Sequence, residues 1–238
     1  MREAGKILGT VMRDLSKEVK AGMSTYTLDK IGEEMIRSYG CIPSCKGYEG
    51  YPAAFCISVN EAIVHSIPSK KIILKEGDIV SLDACLEYKG YQADAARTVG
   101  VGQISKEAAQ LIEVTKQSFF EGVKYAKEGC HLHEISNAIA AYNESYGYGV
   151  IRELVGHGIG AEMHEDPPIP NFTQQRRGIK LYEGMTLAIE PMVSAGGYEV
   201  EWLDDDWTAV TADRSLAAHY ENTVLVTKNG PEILTLVE

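Results

Sequence analysis

Apolar residues recur at helical spacing in four segments of the chain. Residues three and four apart lie on the same face of a helix, so each stripe predicts an amphipathic helix. Hydroxyls suited to capping the second helix occur at Ser24, Thr25 and Thr27. The stripes of the first and second helices are Ile7, Leu8, Val11, Met12, Leu15, Val19 and Leu28, Ile31, Met35, Ile36, and those of the third and fourth are Leu111, Ile112, Thr115, Phe119, Val123 and Ile135, Ala138, Ile139, Tyr142.

Between and after the helices, short apolar runs predict β-strands. They lie near residues 53–59, 78–88, 91–100, 185–194, 220–227 and 232–237. Side chains alternate between the two faces of a strand. In the second run this places Val80, Leu82, Ala84 and Leu86 on the core face and leaves Asp83 on the other face, with Ser81 and Cys85. The pattern predicts an α+β protein in which helices cover one face of a curved antiparallel sheet and leave the other face free for a site.

The sequence also matches itself at a shift of 107 residues. LKEGDIVSLD (74–83) matches LYEGMTLAIE (181–190), and two further segments match at the same shift. These are Lys20–Gly40 with Lys127–Gly147, and Gly90-Tyr91 with Gly197-Tyr198. A period this long, present only twice, excludes a solenoid. We expect a single domain, residues 1–238, made of two pseudo-symmetric halves, roughly 1–104 and 105–238.

Four acidic residues carry the candidate chemistry. Asp83 and Asp94 lie inside apolar strand runs, where an unpaired carboxylate is costly. The shift makes Glu190 the equivalent of Asp83, and Glu221 opens an apolar run much as Asp94 does. Glu221 alone would be interpreted as a surface acid, but four linked carboxylates in one cleft would repel each other strongly. Two divalent cations would neutralise them, so the set predicts a paired-metal site.

The composition narrows the class of protein. The 238 residues are 45% hydrophobic and 24% charged, which is ordinary for a globular protein. The formal net charge of -11 argues against broad binding to nucleic acids or anionic membranes. No apolar stretch is long enough to span a bilayer and the N-terminal segment lacks a signal-peptide core, so we expect a cytoplasmic protein. Five cysteines, an odd number, fit reduced thiols better than a disulfide framework.

Five motifs, in order, complete the pattern: NEAIVHSIP (60–68), the Asp83/Asp94 pair, GHGIG (156–160) followed by His164, AIEPM (188–192) and YENT (220–223). Together they resemble type I methionine aminopeptidase over nearly the whole chain. That family has the pita-bread fold, a pseudo-symmetric α+β sandwich, which agrees with the internal repeat. The resemblance implies removal of the initiator methionine from nascent polypeptides, with a preference for a small second residue.

The resemblance also implies a role for each site residue. Asp83 would bind one metal, Asp94 and Glu221 would bridge two, and His157 and Glu190 would complete the other coordination shell. Carboxylates with one imidazole suit Mn²⁺, Fe²⁺, Co²⁺ or Zn²⁺. A water or hydroxide between the metals would attack the amide, with Glu190 as the general base. His65 would lie near the amide nitrogen and His164 would hydrogen-bond the carbonyl oxygen. A monovalent cation near Asn60 is a further implication.

For the methionine side chain the family builds an apolar pocket. The matching positions here are Cys45, Tyr48, Tyr51, Cys56, His65, Met163 and Trp207. Met163 stands where an aromatic residue is often found, and Glu49 where a neutral or basic residue is common. The segment Glu199–Asp206 is strongly acidic and would repel ribosomal phosphates, so transient docking on ribosomes would need another surface, such as Lys70-Lys71-Lys75 or Arg176-Arg177-Lys180.

The remaining histidines are interpreted as structural. His131 and His133, beside Cys130, align with the entry to a helix in the first half, and His219 precedes the Glu221 strand. Three rival functions share the expected fold: an aminopeptidase P or prolidase, a non-catalytic binding protein, and a creatine-type amidinohydrolase. The full ligand set argues against a binding protein, and the aromatic pocket against the amidinohydrolase. We expect a monomer, since no apolar surface stripe is evident.

Overall fold

All four predicted helices are present in the computed structural model, which describes residues 1–237. They are α1 (Arg2–Glu18), α2 (Thr25–Ser38), α3 (Lys106–Val123) and α4 (Leu132–Ser145). Ser24 is the N-cap of α2, and its side chain accepts a hydrogen bond from the Thr27 backbone N–H at 3.1 Å. The apolar stripes face inward: Leu8, Val11 and Leu15 of α1 are fully buried, which confirms the helical periodicity.

Fifteen strands are found in residues 1–237 and form four sheets. The sheet of the first half contains β1 (Ile42–Pro43), β2 (Cys56–Val59), β4 (Ile79–Tyr88) and β5 (Tyr91–Gly100). The second large sheet has the order β15-β14-β9-β7-β8, formed by β7 (Gly156–Gly158), β8 (Glu165–Ile169), β9 (Thr186–Ile189), β14 (Asn222–Thr227) and β15 (Gly230–Ile233). All the strand pairs in these two sheets are antiparallel.

Two small sheets complete the molecule. One has the order β13-β10-β6, with β6 (Gly149–Val150), β10 (Met192–Ser194) and β13 (Ala217–His219). The other has the order β11-β12-β3, with β3 (Ala62–Val64), β11 (Val200–Trp202) and β12 (Ala209–Thr211). Since β3 comes from the first half and β12 from the second, this sheet joins the two.

The strand predictions fail in two places. The run at 185–194 is two strands, because Glu190 and Pro191 interrupt it and β9 and β10 enter different sheets. The final strand spans Gly230–Ile233 rather than 232–237. Eight strands were not expected: β1, β3, β6, β7, β8, β11, β12 and β13. All of them except the five-residue β8 have two or three residues, and runs this short carry no readable alternation.

The helices cover one face of each large sheet. Residues of α1 and α2 pack with Val80, Leu82, Ala84 and Leu86 in one core cluster. On the opposite face of β4, Cys85 packs in a separate cluster with Ile159 and Met163. The predicted alternation along β4 is therefore confirmed, and it leaves Asp83 on the face away from the helices. Residues of α3 and α4 pack on β9 and β14 in the same way.

The two large sheets meet where β5 lies against residues 219–223. The Ala96 and Glu221 backbones exchange hydrogen bonds, with Glu221 N–H donating at 3.0 Å and Ala96 N–H at 3.4 Å. On one side of this pair, the Thr98 hydroxyl bonds both the N–H (2.8 Å) and the carbonyl (2.9 Å) of His219. On the other side, the Thr223 hydroxyl does the same for Asp94. We call this contact the seam.

The seam has a local twofold symmetry with an offset of 125 residues, from Ala96 to Glu221. It relates Thr98 to Thr223 and Asp94 to His219. The repeat keeps its 107-residue shift in β4 and β9. In the first half Asp83 pairs with Ala96. In the second half Ile189 pairs with Asn222, so the next residue, Glu190, faces Glu221. The shift of 125 residues at the seam exceeds the shift of 107 residues in β4 and β9 by 18. The second half thus has 18 extra residues, which lie between β10 and β13.

Because of this insertion, one predicted match of the internal repeat is wrong. Gly197-Tyr198 is not the structural equivalent of Gly90-Tyr91, because the strand that follows it, β11, pairs with β12, whereas β14 returns beside β9. The single domain with halves at 1–104 and 105–238 stays a prediction. Within residues 1–237, none of the helices combines the length and the apolarity that crossing a bilayer requires.

Candidate metal centre

Acidic side chains from both large sheets converge beside the seam. Asp94 on β5, His157 on β7 and Glu221 at the start of β14 each offer a ligand atom, and these atoms lie within 4.8 Å of one another. Asp94 and Glu221 are almost fully buried, with 6% and 2% of their surfaces exposed. Because the seam fixes both backbones, the two carboxylates are held side by side.

Glu190 and His157 form the second part of the cluster. The His157 Nε2 atom lies 3.6 Å from Glu190 Oε1 and 3.9 Å from Asp94 Oδ2. The His157 Nδ1 atom is 2.9 Å from the Gly158 carbonyl, to which it donates in the neutral ring. This hydrogen bond leaves the Nε2 lone pair directed at the carboxylates, the orientation that a metal-ligating imidazole needs.

The carboxylates strongly disfavour their ionised form in the protein alone. Burial raises the pKa of Asp94 to about 7. Burial, followed by the charge of Asp94, raises the pKa values of Asp83, Glu190 and Glu221 well above their ordinary range. Burial also lowers the pKa of His157 to about 4, so the ring is neutral and free to bind a cation. A compensating positive charge would reverse the penalty on the carboxylates.

The residues present fit divalent cations. Asp94 Oδ1 is buried and has no hydrogen-bond partner among the described residues. An orphaned buried oxygen is costly unless something outside the chain satisfies it. The donor set of carboxylate oxygens and one imidazole nitrogen matches Mn²⁺, Fe²⁺, Co²⁺ or Zn²⁺ rather than a structural, cysteine-bound zinc.

The cluster forms the floor of a cleft of about 400 Å³. The cleft brings together every residue that the sequence predicted for the site: Cys45, Tyr48, Tyr51, Cys56, His65, Asp83, Asp94, His157, Met163, His164, Glu190, Trp207 and Glu221. Their individual roles stay predictions. Sequence reasoning missed Val64, Glu153, Leu154, Val155 and Met192, which also line the cleft, because no motif marks them.

The wall beside the carboxylates is apolar. Tyr51 and Trp207 meet edge-on with ring centroids 5.0 Å apart, and Cys56 packs in the same cluster. Burial raises the pKa values of the Cys45 and Cys56 thiols well above their ordinary range, so both remain protonated. Neutral thiols are poor nucleophiles and poor metal ligands. They contribute soft, polarisable surface to the pocket.

Two histidines stand at the edge of the cluster. The His164 Nδ1 atom lies 2.8 Å from the Tyr48 hydroxyl, and the His164 ring is 4.3 Å from the His157 ring, centroid to centroid. His65 follows β3 in the left-handed backbone region, with φ of 59°. That conformation is strained for a non-glycine residue and is common at functional sites. Burial lowers the pKa of His65 to about 4, so its ring is neutral.

The other predicted sites have simpler outcomes. Among the described residues, the group of acidic and histidine side chains close enough to hold a metal is Asp94, His157 and Glu221, and the interpretation of His131 and His133 as structural stays a prediction. The Asn60 side chain donates to Asp78 at 3.0 Å and accepts from the Ile79 N–H at 3.1 Å. A monovalent cation near Asn60 stays a prediction. The structural interpretation of His219 stays a prediction; its Nε2 lies 3.6 Å from Glu190 Oε2.

Comparison with known proteins agrees with this geometry. The family model for metallopeptidase family M24 matches residues 1–228. A methionine aminopeptidase of Clostridium acetobutylicum is 57% identical over 238 residues, covering 100% of this chain and 95% of the relative. The solved structure of a methionine aminopeptidase from Thermotoga maritima superposes with a TM-score of 0.96 at 44% identity, covering 99% of this chain and 94% of that one.

A more distant structure shows the fold alone. The prolidase from Pyrococcus horikoshii has a TM-score of 0.79 at 24% identity, and the match covers 100% of this chain but 61% of the prolidase. The predicted α+β pita-bread fold is thereby confirmed. From the length of the family match and the identity to its relatives, this chain belongs to metallopeptidase family M24, among the methionine aminopeptidases.

Proposed function

We propose that this chain is a metal-dependent methionine aminopeptidase that removes the N-terminal methionine of peptides and nascent polypeptides. One observation carries the proposal: the carboxylate cluster and the apolar wall of thiols and aromatic rings line the same cleft. A cleft with a charged floor can process the amide, and an apolar wall beside it can hold the thioether side chain. The 57% identity to a methionine aminopeptidase over the full chain supports the same substrate.

The cofactor in this proposal is a pair of divalent cations, drawn from Co²⁺, Mn²⁺, Fe²⁺ and Zn²⁺. Asp83 would hold one ion and His157 with Glu190 the other, and Asp94 and Glu221 would each contribute to holding both. The positions of Asp94 and Glu221 on opposite sides of the seam support a bridging role, since each half contributes one of them. When bound, the ions supply Lewis-acid polarisation of the scissile carbonyl and activation of the attacking water.

The protein side chains move protons and stabilise charge. The Glu190 carboxylate accepts a proton from the water and passes it on toward the leaving amine. His164 accepts the Tyr48 hydroxyl at Nδ1, so its Nε2 carries hydrogen and donates to the carbonyl oxygen as charge develops there. His65, neutral and held next to Trp207 with ring centroids 6.4 Å apart, lies beside the amide nitrogen.

The apolar wall provides substrate selection. Cys45, Cys56 and Met163 offer sulfur atoms and Tyr51 and Trp207 offer ring edges, and thioether groups pack favourably against both. Tyr48 closes the wall near His164. The narrow cleft favours a small second residue, such as alanine, glycine or serine, because a larger side chain would collide with its rim.

The cellular setting is part of the proposal. The enzyme acts in the cytoplasm as a monomer, with a monovalent cation bound near Asn60. It associates transiently with ribosomes through Lys70-Lys71-Lys75 or Arg176-Arg177-Lys180, because the acidic segment Glu199–Asp206 repels phosphate.

A pair of tripeptides tests the function. Met-Ala-Ser and Ala-Pro-Ser are incubated with the protein in Mn²⁺ or Co²⁺, then with a chelator, and free amino acids are measured. We expect methionine to be released only with metal. Release before proline would assign a prolidase-type activity instead, and no release from either peptide by metal-loaded protein would favour a binding protein.

A further inference from the structure

His219 is a buried histidine at the back of the metal centre. It ends β13 with only 1% of its surface exposed, and neither ring nitrogen has a hydrogen-bond partner among the described residues. A buried imidazole without partners is costly to a fold, so its position needs a reason. The nearest charged group recorded for it is Glu190, whose Oε2 atom lies 3.6 Å from His219 Nε2.

The two oxygens of Glu190 face two different imidazoles. Oε1 lies 3.6 Å from Nε2 of His157, and Oε2 lies 3.6 Å from Nε2 of His219. Both distances are slightly longer than a hydrogen bond, and such contacts at catalytic sites often tighten in the loaded enzyme. His157 is on the cleft side and lines the cleft, whereas His219 approaches Glu190 from behind and lines a separate cavity.

The symmetry of the seam gives His219 a place in the centre. The local twofold that exchanges Thr98 and Thr223 also exchanges Asp94 and His219, and each of these is held at both its N–H and its carbonyl by the threonine of the opposite strand. His219 therefore occupies, in the second half, the backbone position that the carboxylate Asp94 occupies in the first. Both side chains are directed toward the same cluster.

The surroundings fix the state of the ring. The ring nitrogen recorded near a carboxylate is Nε2, which lies 3.6 Å from Glu190 Oε2, and a carboxylate oxygen accepts hydrogen bonds. A hydrogen on Nε2 points at this acceptor, whereas a lone pair on Nε2 would face the lone pairs of the carboxylate, so the hydrogen is favoured on Nε2. His219 and Arg97 are both among the residues that line a second cavity, of about 420 Å³.

We propose that His219 is a positioning residue of the metal centre, donating from Nε2 to Glu190 Oε2 and thereby fixing which Glu190 oxygen faces the cations. The inference rests on the proposed function only through the metal ligands. Outer partners of metal-binding carboxylates commonly control affinity by about 10- to 100-fold, because they remove the freedom of the ligand to rotate away.

Two substitutions separate this role from a purely structural one. His219→Phe keeps a buried ring but has no donor, whereas His219→Gln keeps an N–H near the position of Nε2. The matched control is His133→Phe, because His133 also has an unpartnered ring nitrogen but lies on α4, outside the cleft. For each protein, Mn²⁺ affinity is measured by calorimetry, the Co²⁺ absorption spectrum is recorded, and the melting temperature is determined in chelator.

We expect His219→Phe to weaken Mn²⁺ binding about 10-fold or more and to shift the Co²⁺ spectrum. His219→Gln should stay within about 3-fold of wild type, and His133→Phe should bind as wild type does. Wild-type affinity in His219→Phe would overturn the inference. Equal losses in His219→Phe and His219→Gln, with both melting temperatures lowered, would overturn it as well, since the ring would then serve only the fold.

The readout is independent of peptide cleavage. If wild-type protein releases no methionine while His219→Phe still loses metal affinity, the positioning role stands and the proposed substrate falls. If wild-type protein releases methionine and His219→Phe binds metal normally, the proposed function stands and the positioning role falls.

Discussion

The Thr223 hydroxyl is bonded to both backbone groups of Asp94: it accepts the Asp94 N–H at 2.8 Å and donates to the Asp94 carbonyl at 2.9 Å. Thr223 itself is fully buried, and its own N–H donates to Thr235 Oγ1 at 3.1 Å. The Thr223 hydroxyl thus holds β5 at Asp94, the proposed bridging ligand. It takes the place of backbone hydrogen bonds between the two strands at this position.

Replacing Thr223 by valine tests this arrangement. The shape is preserved, but a buried N–H and a buried carbonyl of Asp94 lose their partner, which should cost about 2 kcal/mol of unfolding free energy. Chemical denaturation in chelator measures that loss. Mn²⁺ affinity should fall as well, because Asp94 is less well held. Thr223→Ser keeps the hydroxyl and should retain affinity; a serine variant as weak as the valine variant would contradict the hydrogen-bond explanation.

Replacing Asp94 by asparagine should separate stability from activity. One bridging charge is lost, so methionine release should fall more than about 100-fold. That loss exceeds the effect of replacing a residue that only hydrogen-bonds a metal ligand. The metal-free protein should be at least as stable as wild type, because a buried, unpartnered carboxylate has been neutralised. Asp204→Asn, at an exposed position outside the cleft, is the control. Near-wild-type turnover in Asp94→Asn would refute the assignment of Asp94 as a ligand.

Tyr48→Phe should act through His164. Without the hydroxyl at 2.8 Å from Nδ1, the His164 ring no longer has a fixed tautomer or orientation, and its donation to the carbonyl weakens. We expect kcat to fall about 10-fold with KM nearly unchanged, a smaller loss than removal of an oxyanion donor itself. Steady-state kinetics on Met-Ala-Ser measure both constants, with the exposed Tyr91→Phe as control. A change in KM alone would assign Tyr48 to side-chain binding instead.

The rim of the cleft should discriminate by charge. Glu49 and Glu153 line it, so a substrate with lysine at the third position should be cleaved faster than one with glutamate. Glu49→Gln should narrow the ratio of kcat/KM for Met-Ala-Lys over Met-Ala-Glu by about 3-fold, and high salt should reduce the effect. Glu144→Gln, at the end of α4, should leave the ratio unchanged. If neither salt nor Glu49→Gln changes the ratio of the two kcat/KM values, the rim does not select substrates by charge.

Glu33, which does not line the cleft, should make a pH-dependent contribution to the free energy of unfolding. Its carboxylate accepts from Lys30 at 2.8 Å, Lys46 at 2.8 Å and Arg37 at 3.0 Å. These bonds, that from Lys30 foremost, lower the pKa of Glu33 from 4.5 to about 2. The folded state therefore binds its proton later than the unfolded state as pH falls, and the stabilisation is present above pH 4.5 and lost toward pH 2.

Glu33→Gln should accordingly destabilise the protein by about 1 kcal/mol at neutral pH, since the cationic partners are partly exposed. Urea denaturation at pH 7, 5 and 3 gives the difference from wild type, which should shrink over that series. A difference that grows on acidification would have the wrong sign for a carboxylate with a lowered pKa.

Local pattern was enough to predict the helices and the principal strands. The stripe of α1 and the alternation of Val80, Leu82 and Ala84 depend on neighbours close in sequence, and burial on one face imposes them directly. The isolated acids were informative for the same reason: Asp83 and Asp94 violate the apolar pattern around them, and the structure brings both into one cleft.

Pairing at long range could not be predicted. That β9 and β10 enter different sheets follows from where Glu190 and Pro191 break the ladder, and a continuous apolar run hides such a break. His219 was interpreted as a structural residue, because the YENT motif that it precedes does not indicate where its ring lies. Its place follows from Thr98, 121 residues away, and from the seam. The misassigned Gly197-Tyr198 match failed because identical dipeptides can occur on either side of an insertion.

The 18 extra residues between β10 and β13 make the two halves unequal on one side only. The seam keeps its twofold relation, whereas Trp207, which lines the cleft, lies in this insertion and has no counterpart in the first half. A cation is spherical and has no direction, so a twofold-symmetric site can bind it. A peptide has an N-terminal and a C-terminal end. Because the insertion is present in one half only, it makes the two ends of the cleft different for such a ligand.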